Sequence, residues 1–218
     1  MISVILTKPH AGPPAMARPA NTRKEETHER IVEAAARAIR RHGYAGLGVA
    51  EVMKDAGLTH GGFYAHFESR DALLVEALER AGRDSAESVA RAAAQRAAKG
   101  VSPFRALVDS YLADRHLASM DSGCPVAALG SDMPRQSEPV RDASALRVRR
   151  LVERVTAALP DAHRSAASVV TGTLVGSLQL ARALGDNAEG RALLSNARQA
   201  LLQHYDTPLA SSSSRTTP

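Results

Sequence analysis

Ile31, Ala34, Ala35, Ala38, Ile39 and His42 recur at intervals of three and four, with Arg and Glu residues between them. Only a helix gathers such positions onto one stripe, so this segment is an amphipathic helix that must bury one face against a partner. Gly43 stops it, and YAGLG follows as a turn. The segment VAEVMKDA then makes a second helix of about two turns, with Val49, Val52 and Met53 apolar and Gly57 at its end. Composition points the same way, because only 3% of the chain is aromatic, Trp is absent and Ala is abundant. Ala, Leu and Val fill the space between close-packed helices better than they fill a β-sandwich. An all-α fold is expected, and 218 residues at 44% hydrophobic suffice for one large domain or two modest ones.

The stretch GLTHGGFYAHF, Gly57 to Phe67, comes next and looks unsuited to a helix. Its adjacent Gly61 and Gly62 should each cost a helix interior ~1 kcal/mol relative to Ala. Thr59 is placed to cap a helix start, and two short helices joined by a glycine-containing turn are a helix-turn-helix signature. A helix that enters the major groove needs an unobstructed N-terminal end, and glycine removes the side chain that would hold the backbone away. Thr59, His60, Tyr64 and His66 would then present polar groups to DNA, while Phe63 and Phe67, four apart, anchor the opposite side. Taken alone, the same stretch also fits a glycine loop between core helices, with its histidines solvated or in the core.

Charge is informative mainly in its distribution. The formal net charge is +5, and the segment from Arg18 to His42 holds seven Lys/Arg (Arg18, Arg23, Lys24, Arg30, Arg37, Arg40, Arg41) against four Glu. From Gly43 to Arg80 there are three basic residues to six acidic ones. A polyanionic partner would therefore meet the first helix and a few placed groups. One cysteine, Cys124, excludes an internal disulfide and a Cys-rich zinc site. No metal-ligand set, cofactor motif or catalytic constellation is present: GLGVAE lacks a third glycine and a preceding strand, and no His pair stands four apart. A Cys124 nucleophile assisted by His116 is the enzyme alternative, without signature context. MISVILTK lacks the basic region of a signal peptide and Ser165 to Ala181 is too polar to span a membrane, so a cytoplasmic location is expected.

Residues 1–21 and 206–218 are Pro/Gly/Ala-rich and Ser/Thr-rich tails expected to be disordered. A capping box, Thr22 with Glu25, opens the first helix, with Thr27 a second possible start. After Phe67 a long helix restarts, with Ser69 as cap and Asp71 in its first turn. Helices are expected from Pro103 to Met120, from Val140 to Leu159, from Asp161 to about Leu184 and from Ala188 to about His204, roughly nine in all. The segment DSGCPVAAL interrupts them, with Pro125 at an early helical position.

The stretch RIVEAAARAIRRHGYAGLGVAEVMKDAGLTHGGFYAHFESRDALLVEAL resembles the DNA-binding domain of TetR/AcrR-family bacterial transcriptional regulators. The shared features are the apolar first helix, HGY, the VAEV helix, AGLT, FYAHF and S-R-D-A-L, at several fixed spacings over about residues 24 to 78. The resemblance implies a three-helix DNA-binding domain (residues 22–68) and a helical effector-binding and dimerisation domain (residues 69–205). It places Thr59, His60, Gly61, Gly62, Tyr64 and His66 where the family meets an operator in double-stranded DNA. Arg70 falls at a position usually held by a phosphate-contacting Lys. Two departures stand out: His60 replaces a commoner Lys or Arg, weakening the phosphate contact when neutral, and Leu47-Gly48 replaces a Thr/Ser cap.

By the same resemblance the chain is a homodimeric repressor released from a pseudo-palindromic operator by a small-molecule effector. Gly172 and Gly176 are four apart, with Leu180 one turn on, and would let a partner helix approach closely; packing within one chain would use the same face. Tyr111, His116, Met120, Cys124 and Met133 are the candidate effector contacts, because apolar pockets with a few polar groups bind ligands. Each also fits ordinary core. Helix N-termini favour a thiolate, so an electrophile- or oxidant-sensing role for Cys124 is an alternative, against that of a buried inert cysteine.

Overall fold

Among the residues that the structure describes, a computed structural model covering 20–206, the chain forms nine α-helices and three short 3₁₀ helices, and no strand. Most of the two tails lies outside these residues, as does Arg18. Helix α1 spans Ala20–His42, so Thr22 stands inside it and caps nothing. Thr27 is interior as well, its hydroxyl donating to the Arg23 carbonyl at 2.8 Å. The predicted stripe is buried at Ile31, Ala34, Ala35 and Ile39, but Val32 and Ala36 are buried too and His42 is exposed. The buried face is wider than the stripe because α1 packs on α3 (Arg70–Ala97) along one side and on α2 (Val49–Asp55) along another.

α2 has Gly48 at its N-cap with no side-chain cap bond, as the missing Thr/Ser implied. At its other end Leu58 N–H donates to the Met53 carbonyl and Gly57 N–H to the Lys54 carbonyl, both at 2.9 Å. This Schellman turn needs a left-handed residue, and Gly57 supplies it with φ 73°. The stretch His60–Ala65 is then a 3₁₀ helix and not an α-helix. Two adjacent glycines deprive the segment of α propensity, and short 3₁₀ turns serve where few residues must reverse course. Ser69 caps α3 by accepting the Ala72 N–H at 3.1 Å.

The second half departs from expectation in places. The helix expected from Pro103 to Met120 is two, α4 (Pro103–Tyr111) and α5 (Asp114–Ala118). The Tyr111 carbonyl, which a continuing helix would bond to Arg115, instead receives the His116 ring at 2.7 Å. α6 (Pro125–Leu129) is only five residues long, and a 3₁₀ turn, Met133–Arg135, precedes α7 (Glu138–Ala158). A further 3₁₀ helix, Asp161–Ala166, replaces the expected start of α8 (Ala167–Leu184), and α9 (Ala188–Tyr205) closes the chain. Asp206, assigned from sequence to the tail, accepts from Ser102 and, at 2.9 Å, from Arg105, tying the end of α9 to the start of α4.

α3 belongs to both halves. It packs on α1 on one side and on α4 and α7 on the other, fully burying Leu73, Leu74, Ala77, Leu78 and Ala81. Each such Leu contributes about 1.5–3 kcal/mol. None of the described helices is long and apolar enough to cross a membrane.

Candidate functional site

The segment after α2 divides its side chains by face. Phe63 and Phe67 are buried and stacked, ring centroids 5.6 Å apart. His28 of α1 stacks on Phe67 at 4.6 Å and meets the Glu76 carboxylate of α3 at 2.6 Å. Tyr64 is 76% exposed, and Thr59, His60 and Gly61 are exposed beside it. Thr59 stands at the N-cap position without making a side-chain cap bond, which leaves its hydroxyl uncommitted to the helix. His66 is half-buried near His28 and Phe67, and its Nδ1 is buried without a hydrogen-bond partner. Burial first, then the neighbouring His28 and Lys24, lower its pKa below the usual histidine value.

Among the described residues, neither packing nor backbone conformation requires glycine at Gly61 or Gly62. A Cβ on Gly61 would meet no atom within 4 Å, and one on Gly62 would touch only Met53 Cε at an ordinary 3.6 Å. Neither glycine has positive φ. No close contact among the described residues offsets their helix-propensity cost.

Arg70 is turned inward. Its guanidinium donates to the Tyr44 carbonyl and, at 3.4 Å, to that of Leu47, so it holds the turn between α1 and α2 and does not project as a phosphate contact. Tyr44 is buried, and its hydroxyl meets Ser144 of α7 at 2.9 Å. The basic run of α1 is also largely engaged. Arg37 pairs with Glu33 at 2.6 Å and Arg41 with Asp121 at 3.0 Å, while Arg40 is buried and donates to the Ala81 carbonyl at 3.2 Å. Arg23, Lys24 and Arg30 of α1 and Lys54 of α2 are exposed.

The five expected effector contacts do not form one pocket. Met120 is exposed and Met133 is buried in the core. Tyr111 is fully buried, its hydroxyl without a hydrogen-bond partner. Burial, then the Cys124 thiol beside it, pushes that hydroxyl well above its usual pKa. His116 is a staple: one ring nitrogen meets the Tyr111 carbonyl and Nε2 accepts the Cys124 N–H at 3.0 Å. The ring is therefore neutral, its pKa lowered to about 4 chiefly by burial. Because Nε2 faces the Cys124 backbone amide, it is occupied and does not serve as base to the thiol. α6 is also too short for the strong N-terminal field expected at Cys124.

Cys124 does line a cavity of about 240 Å³ between α3 and α7, with Arg83, Arg147, Arg150 and Arg154 around it. These arginines escaped the sequence reading, although Arg147, Arg150 and Arg154 recur at helical spacing in α7. Among the described residues no group of three or more His, Cys, Asp or Glu is disposed to hold a metal ion.

Two short helices joined by a tight turn, the second anchored by aromatics and presenting Thr, His and Tyr outward, form the helix-turn-helix of a DNA-binding regulator. The sequence profile described as bacterial regulatory proteins, tetR family, matches residues 31–77. An HTH-type transcriptional regulator of Mycobacterium tuberculosis is 31% identical over 172 residues, covering 72% of this chain and 85% of the relative. The regulator LmrA of Bacillus subtilis is 28% identical over 122 residues, 54% of this chain and 63% of that protein. In fold, the chain is similar to E. coli NemR in its reduced form, with TM-score 0.68, 21% identity, and 85% and 100% of the two chains covered. It is similar also to a TetR regulator of Chloroflexus aurantiacus, with TM-score 0.67, 21% identity, and 84% and 96% covered. The chain belongs to the TetR family of bacterial transcriptional regulators.

If Gly61 is kept for an outside surface, Gly61→Ala should raise unfolding stability by about 0.5–1 kcal/mol while weakening DNA binding. Urea denaturation and a mobility-shift titration on one preparation would show the opposed signs; a variant that loses stability refutes the assignment. His116 predicts a pH effect. The unfolded chain protonates this ring near its ordinary value of about 6.5, the folded chain only at about 4. Its contribution is therefore complete above pH 6.5 and is lost as pH falls toward 4, on the order of 3 kcal/mol in all. Urea midpoints between pH 7 and 4.5 should fall less steeply for His116→Gln than for the unsubstituted chain.

Proposed function

We propose that this regulator is a homodimeric repressor of the cytoplasm that leaves a pseudo-palindromic operator when a small molecule enters its helical half. Thr59, His60, Gly61, Gly62, Tyr64 and His66 form the operator-facing surface. Arg70 positions that surface through the turn it holds. The observation that carries the DNA reading is Tyr64, a large aromatic ring left 76% exposed beside side-chain-free Gly61 on a segment otherwise pinned by two buried phenylalanines. His66, neutral and with one nitrogen buried, would offer its other nitrogen to the DNA backbone.

Dimerisation is supported by an unpartnered face of α8. Val169 (63% exposed) and Leu180 (60%) flank Gly172 and Gly176 along it, and a Cβ on either glycine would meet nothing within 4 Å. These positions recur at helical spacing, so the face is apolar, close-packing and open. A twofold pair would present two equivalent recognition segments to half-sites one DNA turn apart. Release is supported by two joints between the halves, Tyr44 with Ser144 of α7 and Arg70 of α3 with the Tyr44 and Leu47 carbonyls. An effector that prefers one spacing of α3 and α7 shifts the population toward that spacing.

One observation favours a second reading: Cys124 lines the α3–α7 cavity, so an electrophile or oxidant small enough to enter would meet the thiol. Effector release that survives Cys124→Ser excludes that route.

DNA selected from a random pool by the purified protein should converge on an inverted repeat. Tyr64→Ala should lower affinity for that site at least about tenfold, with each base or backbone contact worth about 1–3 kcal/mol, and leave the dimer intact by light scattering. Unchanged affinity would remove Tyr64 from the interface. Leu180→Glu should yield monomers in sedimentation and lose operator binding with them, whereas a persistent dimer would move the interface away from α8.

A further inference from the structure

We propose that the cavity between α3 and α7 binds an organic anion, a carboxylate carried on an apolar body, with Arg147 as its principal contact. This names the ligand class of the effector half and rests on that reading of it. Three arginines, Arg147, Arg150 and Arg154, enter the cavity from α7, and Arg83 enters from α3. The carboxylates on its rim are Glu79 and Glu87, both exposed, and Glu87 is paired with Arg91 at 3.5 Å. Cation is therefore in excess. Cys124, Pro125, Val126 and Leu151 supply the apolar wall.

Arg147 is the unusual member. It is 6% exposed, yet it makes no hydrogen bond or ion pair among the described residues. Arg40 and Arg182 spend part of the guanidinium on the Ala81, His116 and Ser119 carbonyls and keep sealed nitrogens, whereas Arg147 has no sealed nitrogen and borders the cavity. A largely covered guanidinium whose donors are not taken up by protein is left to bond what occupies the cavity. Burial, then Arg150, lower its pKa; Glu79 acts against them. Space for it is provided by Gly82, where a Cβ would lie 2.7 Å from Arg147 Cδ and 2.9 Å from Nη1. Any larger residue at position 82 would displace the guanidinium. A planar fork set at an apolar wall matches a carboxylate, while a neutral ligand would leave the charge as it is. Ser144 lies three residues before Arg147 on α7 and holds Tyr44, so an anion drawing on Arg147 acts on the helix that anchors the DNA-binding half.

The test is calorimetric titration of the full chain with 2-naphthoate against 2-naphthamide, its neutral isostere. The carboxylate should bind at least about tenfold more tightly, the size of a charge-assisted hydrogen bond. Arg147→Met should abolish the preference while leaving naphthamide binding unchanged, whereas loss of a purely structural arginine would change the binding of both compounds alike. Arg154→Met, at a less buried position, should weaken naphthoate severalfold and leave naphthamide unchanged. Equal binding of the two compounds, no binding of naphthoate at millimolar concentration, or a preference that survives both substitutions overturns the proposal. Operator binding, read by mobility shift on the same preparation, keeps the two readings apart. Its presence without anion preference overturns only the ligand class, and its absence overturns the regulator reading.

Discussion

The seam between α1 and α3 is the constraint on which the rest of this molecule depends. The two helices pack together, and Ile31, Ala35 and Ile39 of α1 and Leu73, Leu74, Ala77, Leu78 and Ala81 of α3 are all without solvent exposure. Alanine at so many of these positions lets the helices approach closely, and close packing of small residues leaves little room for sliding. Arg40 reaches across the seam to the Ala81 carbonyl, and Arg80 spans it outside through Glu29 at 3.0 Å. Because α3 continues past this seam to pack on α4 and α7, the DNA-binding half and the helical half share one rigid element.

That sharing explains how a six-residue 3₁₀ segment can hold a fixed aspect. It has too few hydrogen bonds to be stable alone, so its geometry is borrowed. Phe63 and Phe67 lock it to α1 through His28, which is itself tied to α3 by Glu76. The turn before α2 is held by Arg70 and Tyr44, one reaching from α3 and the other reaching to α7. The outward side of the segment is then free to carry residues chosen for a partner.

Much of the DNA-binding half was legible along the chain. The α1 stripe, Gly43 and Gly57 as stops, Ser69 as a cap and the Phe63–Phe67 pair are local signals, in which periodicity and backbone chemistry act within a few residues. The failures had non-local causes. Arg70 and Arg40 read as surface cations because nothing in sequence reveals the carbonyls of Tyr44, Leu47 and Ala81 that receive them. The helix from Pro103 was read as unbroken because a ring five residues on from Tyr111 takes its carbonyl. Tyr111, His116 and Met133 read as pocket residues, yet burial turned them into core and staple.

What the sequence determined by itself was the class of fold, the helix-turn-helix and the division of GLTHGGFYAHF into an anchored face and an open one. These follow from spacing, and spacing is a property of neighbours in the chain. Tertiary structure alone decided which charges are spent internally and which remain to act. It turned Arg70 inward, paired Arg37 and Arg41, and gathered Arg147, Arg150 and Arg154 with Arg83 around one cavity. A charged side chain is long, and its partner is whatever the packing of distant helices brings within about 4 Å, which no local pattern encodes.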